Sequence, residues 1–233
     1  AVALHTSGRN SGVVHAGFNQ APGSLKAKFC VEGNRMLEEI ARQLNVPFER
    51  PGTLVLAKDA GEIKILEVGF GTGLNAFLTL QYSLTHPTKI HYESLEAFPV
   101  DQQTILRLNY PKAINFPAAD KYFTQLHECR WDEQHVITNS VKLLKRHIKI
   151  QDTDLGLEKF DVIFFDAFAP SKQAEMWEPS ILKKIEQSMK PKGVFVTYCA
   201  KGQLKRDLKS LGLMVETLSG PPGKKEMVRA VKL

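Results

Sequence analysis

Two groups of residues have the types and spacing to do chemistry. Gly69, Gly71 and Gly73 stand two apart directly after the apolar run Ile65-Leu66-Glu67-Val68, and Asp166 closes a second apolar run, Phe160 to Phe165. Glycine lacks Cβ, so a Gly-x-Gly-x-Gly turn lets backbone N–H groups approach a ligand where a side chain would collide. A carboxylate at the carboxyl end of a buried parallel strand lies where open α/β sheets bind ligands. Glycine triplets also serve ordinary strand-to-helix turns, so the flanking residues must decide. A dinucleotide fingerprint wants Gly or Ala five positions after its first glycine; Leu74 stands there, which argues against NAD or FAD at this loop. Lys89 to Glu96 reads as a second strand ending in a carboxylate roughly 20 residues past the loop, suited to both ribose hydroxyls. Glu96 is the candidate and Glu93 its rival.

The elements that must position these groups follow from periodicity. Leu74, Phe77, Leu78 and Tyr82 form a helical stripe starting where the loop ends. After Asp166 comes a loop through Trp177, then a helix opened by Pro179 with Ile181, Ile185 and Met189 as core positions. Gly193 introduces a strand over 194–198, 203–211 reads as a helix, and 214–218 and 227–231 read as strands around the turn-rich 220–225. Ile148 to Asp152 is expected to be the third strand, delivering Asp152 to the same edge.

The 233 residues, 43% hydrophobic and 24% charged, suffice for a full α/β core. Cys30, Cys129 and Cys199 form no Cys-x-x-Cys pair, so neither a zinc site nor a disulfide framework is expected, and a reducing cytoplasm fits. No apolar run reaches the roughly 18 residues of a membrane span, and the first residues do not read as a signal peptide. The net charge of +6 is unevenly placed: Lys183 to Leu233 carries 12 Lys plus Arg against 4 Asp plus Glu. A polyanionic substrate would favour such an end, although a solvated lysine-rich helix face gives the same count.

Ile65 to Asn75, Asp166 to Trp177 ("DAFAPSKQAEMW") and Gly220 to Met227 ("GPPGKKEM") together resemble the methyltransferase domain of MnmC-type tRNA 5-methylaminomethyl-2-thiouridine biosynthesis proteins. The resemblance runs from about Glu62 to the C-terminus. It implies a class I S-adenosylmethionine (SAM) methyltransferase fold over 61–233, an α/β Rossmann-like, seven-stranded, mostly parallel sheet with a C-terminal antiparallel hairpin. It implies methylation of the aminomethyl group on a wobble uridine of tRNA. Carried over by motif, Glu67, Gly69, Phe70, Gly71, Gly73 and Asn75 would line SAM and Glu96 would take the ribose. Asp152 would be the adenine-side carboxylate, and Asp166 would sit beside the methionine end and the incoming amine. Phe70, Phe168 and Trp177 would offer π faces to the sulfonium or to an extruded base, or simply pack. Lys224 and Lys225 would contact phosphate. Bifunctional members carry a flavin oxidase domain after the methyltransferase; here that oxidase is expected to be a separate partner.

Residues 1–60 do not fit that family. "HTSGRNSGVVHAGF…PGSLKAKFC" resembles an internal piece of FAD-dependent oxidoreductases of the L-2-hydroxyglutarate and glycerol-3-phosphate dehydrogenase type. In those enzymes the dinucleotide fingerprint precedes the piece, and it is not found from Ala1 onward, so FAD is not expected to bind. His5, Ser7, Arg9 and His15 are the residues that would face flavin in an intact enzyme. The chain therefore reads as a composite with its seam near residue 60, and a segment this short is expected to pack on the methyltransferase or to stay partly disordered.

Methyl transfer from a sulfonium needs in-line approach of an unprotonated amine, so positioning should supply most of the acceleration. Asp166 is the candidate amine acceptor, or else the anchor for SAM's ammonium. Other readings are a flavin oxidoreductase remnant, an inactive fold that only binds, and an aminopropyltransferase-like enzyme acting on a small amine.

Overall fold

The structure, a computed structural model, describes Leu25, Gln43, 61–86, 88–114, 116–219 and 226–233. His5, Ser7, Arg9, His15, Lys224 and Lys225 lie outside the described residues, as do 1–60 apart from the helical Leu25 and Gln43. The chain divides into two compact units, 1–51 and 52–233.

In chain order the second unit contains β1 (Glu62–Val68), α1 (Leu74–Thr85), β2 (Lys89–Leu95), α2 (Gln102–Leu106), α3 (Tyr110–Ile114) and α4 (Ala119–Glu128). Then come β3 (Gln134–Val136), β4 (Val141–Arg146), a 3-10 turn at Ile150–Asp152, β5 (Phe160–Phe165) and a second 3-10 turn at Ala174–Trp177. The remaining elements are α5 (Pro179–Ser188), β6 (Met189–Thr197), α6 (Gly202–Ser210), β7 (Leu213–Ser219) and β8 (Glu226–Lys232). One sheet has the order β3-β4-β2-β1-β5-β6-β8-β7. β4, β2, β1, β5 and β6 run parallel, while β3, β8 and β7 join antiparallel at the edges.

The central strands are apolar on both faces because helices cover both. Along β1, Ile63 and Ile65 pack with Phe77, Leu80, Phe123 and Leu126 under α1 and α4. Leu66 and Val68 turn the other way, into the layer of Ile181, Ile185, Leu204 and Leu208 from α5 and α6. Glu67 shares the face of Ile63 and Ile65, so it points at the start of α1.

Three expectations need correction. Among the described residues the sheet has eight strands rather than seven, because Gln134–Val136 adds a short antiparallel edge. The third parallel strand is Val141–Arg146, not 148–152. Ile150–Asp152 is a 3-10 turn whose carbonyl groups are gathered by one ammonium: Lys184 Nζ donates to the oxygens of Ile150, Gln151 and Thr153 at 2.8, 3.0 and 3.1 Å. The Ile-Lys-Ile alternation imitated a strand, while the three basic residues of the real one disguised it as surface. Lastly, α5 ends at Ser188, so Met189 is the first residue of β6, although it is buried as expected.

Candidate functional site

Strands β1, β2 and β4 fill one half of the parallel sheet and β5 and β6 the other, so the strand order reverses between β1 and β5. Ligands of open α/β sheets bind outside the carboxyl ends of the strands at such a reversal. The glycine loop leaves β1 there, and Asp166 leaves β5. The Asp166 N–H donates to the Val68 carbonyl at 2.9 Å and the Gly69 N–H to that of Leu95 at 2.9 Å. Gly69 has φ +94°, and a Cβ on it would lie 2.9 Å from the Asp166 carbonyl oxygen. Only glycine lets the two strand ends approach this closely.

Glu96 stands just past β2 and accepts from two backbone donors, Gly71 N–H at 2.9 Å and Phe98 N–H at 2.8 Å. Its rival Glu93 is held by Lys159 at 2.6 Å and Arg146 at 3.3 Å, so its carboxylate is committed to ion pairs. Glu67 is wholly buried. Its Oε1 accepts from Asn75 Nδ2 at 3.1 Å and its Oε2 from Ser94 Oγ at 2.8 Å. The same Asn75 Nδ2 donates to Asp166 Oδ2 at 3.2 Å. Burial, the largest cause, pushes the Glu67 carboxyl up to about 8, with the charge of Asp166 adding and the bonds from Ser94 and Asn75 opposing. Glu67 is thus a neutral acid at pH 7.

The aromatic candidates separate. Phe168 is 73% exposed beside the site, while Trp177 is 9% exposed. The Trp177 Nε1 donates to the Phe168 carbonyl at 2.8 Å and its ring meets Phe165 edge-on, which folds the segment after Asp166 back on itself. Phe70 is also buried, edge-on to His127 and Trp131. Asp152 is exposed on its 3-10 turn, next to Gln151, whose amide donates to the Met176 sulfur.

Several residues near the site carry no mark in the sequence. Ser94 becomes relevant only through the β1–β2 register that sets it opposite Glu67. The Tyr92 hydroxyl is buried near Glu67 without a well-formed hydrogen bond. The Tyr198 hydroxyl donates to the Ala167 carbonyl at 2.8 Å, pinning the residue after Asp166. Lys145 is 1% exposed; its Nζ donates to the His127 carbonyl at 2.9 Å and lies 4.8 Å from the Trp131 ring centroid and 5.4 Å from that of Phe70. Burial and then the Lys145 charge press His127 down to about 4. A cavity of about 740 Å³ adjoins the loop through Phe70 and Gly71, walled by Ile105, Arg107, Trp131 and Lys145; neither Glu96 nor Asp166 lines it.

A family model described as S-adenosyl-L-methionine-dependent methyltransferase matches residues 112–233, and one described as FAD dependent oxidoreductase matches residues 1–92. The second match runs past residue 60 and over the first strand-loop-helix unit. A tRNA 5-methylaminomethyl-2-thiouridine biosynthesis bifunctional protein MnmC from Idiomarina loihiensis is 30% identical over 177 residues, 70% of this chain and 29% of that protein. An L-2-hydroxyglutarate dehydrogenase from Indibacter alkaliphilus is 39% identical over 92 residues, 40% of this chain and 23% of that protein. The chain thus spans less than a third of either curated relative. Among solved structures, MNMC2 from Aquifex aeolicus superposes with a TM-score of 0.60 at 23% identity, covering 74% of this chain and 54% of that one. The fold is that of class I SAM methyltransferases, and with more than half of its length matched by the family model, the chain belongs to the S-adenosyl-L-methionine-dependent methyltransferase family.

Proposed function

We propose that residues 61–233 transfer a methyl group from SAM to the aminomethyl group of a wobble uridine in tRNA. The observation that carries this reading is Asp166, set against Gly69 at the sheet's switch point and opening the phrase through Trp177. The Idiomarina relative is named for tRNA 5-methylaminomethyl-2-thiouridine biosynthesis.

The residues present fit SAM. Gly69, at positive φ, leaves the strand end open to close approach. Glu96 is a half-buried carboxylate at the end of β2, suited to a ribose, and Asp166 is exposed at the mouth. SAM supplies an electrophilic methyl group on a sulfonium. Asp166 accepts a hydrogen bond from the acceptor amine, aims its lone pair, and takes up the proton that the amine must lose. In the competing role Asp166 holds SAM's ammonium. Phe168 offers an exposed face on which the extruded base can stack. Asp152 serves the adenine side, and Lys224 and Lys225 meet phosphate.

The test is transfer of labelled methyl from SAM into tRNA from cells lacking this modification. Wild type should label it, and Asp166→Ala should lose on the order of 100-fold or more in rate. Retained SAM affinity in the variant assigns Asp166 to the amine; lost affinity assigns it to the cofactor. A wild type that binds SAM yet labels no tRNA sinks the reading. A second reading, flavin chemistry, is favoured by the match of residues 1–92 to FAD dependent oxidoreductases; flavin absorbance in the purified protein would support it. The oxidase step expected of bifunctional relatives is assigned to a separate flavin enzyme.

A further inference from the structure

The cavity that reaches the glycine loop at Phe70 and Gly71 holds about 740 Å³ and is walled by α2, α3 and α4. Ligand pockets span roughly 300 to 1,000 Å³. None of Glu96, Asp152 and Asp166 lines it, so methyl transfer as proposed above gives it no task. Its depth is aromatic and cationic. The rings of Phe70 and Trp131 meet at 84° with centroids 5.9 Å apart, and Lys145 Nζ lies 5.4 Å and 4.8 Å from them, in the corner between the two.

An ammonium has three donors and no acceptor. The His127 carbonyl takes one at 2.9 Å and the Cys129 thiol interacts with the same group, which leaves a third for an acceptor on whatever enters. Trp131 is only half-buried, so part of its ring is open to the cavity that it lines. The mouth carries charge of both signs. Arg107, just after α2, and Lys112 of α3 are exposed there, and so are Asp120 and Glu128 of α4. The cations attract a phosphate, while the carboxylates repel one and accept from hydroxyl groups instead. A ligand with a flat ring, an acceptor on the ring's edge, hydroxyls and a phosphate meets all of these groups at once, and a ribonucleotide is such a ligand.

We propose that this cavity is a nucleotide pocket for single-stranded RNA. A base enters the corner between Phe70 and Trp131 and turns a carbonyl oxygen to Lys145; its ribose hydroxyls face Asp120 and Glu128, and its phosphate meets Arg107 and Lys112. The identity of the RNA rests on the methyl-transfer reading, under which the occupant is a nucleotide neighbouring the acceptor uridine in tRNA. Sequence-specific RNA recognition works on unstacked bases of loops, laid against aromatic rings and hydrogen-bonded at their edges. A loop splayed into two bases, one at Asp166 and one here, is held in a single register.

The experiment titrates a uridine tetranucleotide into the full chain, following tryptophan fluorescence and measuring affinity by calorimetry across a salt series. Of the two tryptophans, Trp131 lines the cavity and Trp177 does not. Wild type should therefore show quenching that Trp131→Phe lacks, and Lys145→Met should bind roughly tenfold or more weakly. Arg107→Ala and Lys112→Ala alter exposed side chains and spare the fold; each should flatten the slope of log affinity against log salt by about 0.7. Saturating SAM should leave the affinity within about threefold, and inorganic phosphate at the same concentration as the tetranucleotide should not displace it. No binding by the wild type, quenching that persists in Trp131→Phe, an unchanged salt slope in both cation variants, or exclusion by SAM overturns the proposal. None of these readings needs turnover: a wild type that binds the tetranucleotide in this way yet labels no tRNA keeps the pocket and loses the acceptor.

Discussion

Glu67 is the residue whose state departs furthest from what its type suggests. A carboxyl group with no exposed surface is charged only at a cost, and burial therefore holds it protonated to about 8 against an ordinary 4.5. Between those two values the folded chain keeps a proton that the unfolded chain has released, so Glu67 makes stability fall as pH rises from 4.5 to 8. At about 1.4 kcal/mol for each unit of difference, the penalty at the upper end is on the order of several kcal/mol. Glu67→Gln has no such proton, so urea titrations from pH 4.5 to 8 should find the variant gaining on wild type steadily as pH rises. Parallel curves for the two proteins would mean that Glu67 ionises normally. His127 works in the opposite sense, favouring the folded state as pH rises from about 4 to 6.5, and it cancels in the comparison. The sequence placed Glu67, Asn75 and Asp166 near one another because a strand, a glycine turn and a second strand's end are each visible in residue types. The bond that joins them is not, since it crosses 91 positions of chain.

At the scale of elements, legibility followed apolar content. β1, β5 and α5 announced themselves through apolar runs or fourfold spacing, and each lies within a few residues of where the pattern put it; β2 was found instead by the carboxylate that ends it, about 20 residues past the loop. β4 did not. Its sequence Val-Lys-Leu-Leu-Lys-Arg looks like a solvated surface, yet Lys145 is buried among the aromatic rings of Phe70 and Trp131, with its ammonium bonded to the His127 carbonyl. Aromatic faces and a carbonyl stand in for the water that a lysine normally keeps. This placement also lowers the affinity of His127 for a proton, second to burial itself. Lys145→Met keeps an unbranched side chain one atom shorter and removes the charge. The His127 midpoint, followed by NMR of the imidazole, should then rise from about 4 but stop short of 6.5, because burial, the larger cause, remains. An unchanged midpoint would mean that the Lys145 charge does not reach the ring.

For the whole molecule, the structure refines what the basic C-terminal stretch can offer a polyanion. Much of that charge is spent internally: Lys184 on backbone carbonyls, Lys190 on Asp161, Lys205 on Glu226, Arg229 on Glu216 and Lys232 on Glu186. Lys201 and Lys192 are exposed and differ in where the sheet puts them. Lys201 follows the carboxyl end of β6, at the edge that carries Asp166, and the antiparallel register brings Val228 opposite Thr197, so β8 enters the sheet at that same edge. Lys192 lies toward the other end of β6, where Met189 pairs with the start of β5. Lys201→Glu and Lys192→Glu change net charge equally, so a tRNA drawn only by overall charge would respond alike to both. Phosphate contacts are local, and each one lost lowers the slope of log affinity against log salt by roughly 0.7 to 0.9. Binding of tRNA across a salt series should therefore weaken and flatten in Lys201→Glu and stay close to wild type in Lys192→Glu. Equal losses in the two variants would mean that the tRNA does not approach over the carboxyl edge of the sheet, and with that the placement of the acceptor amine beside Asp166 would fall.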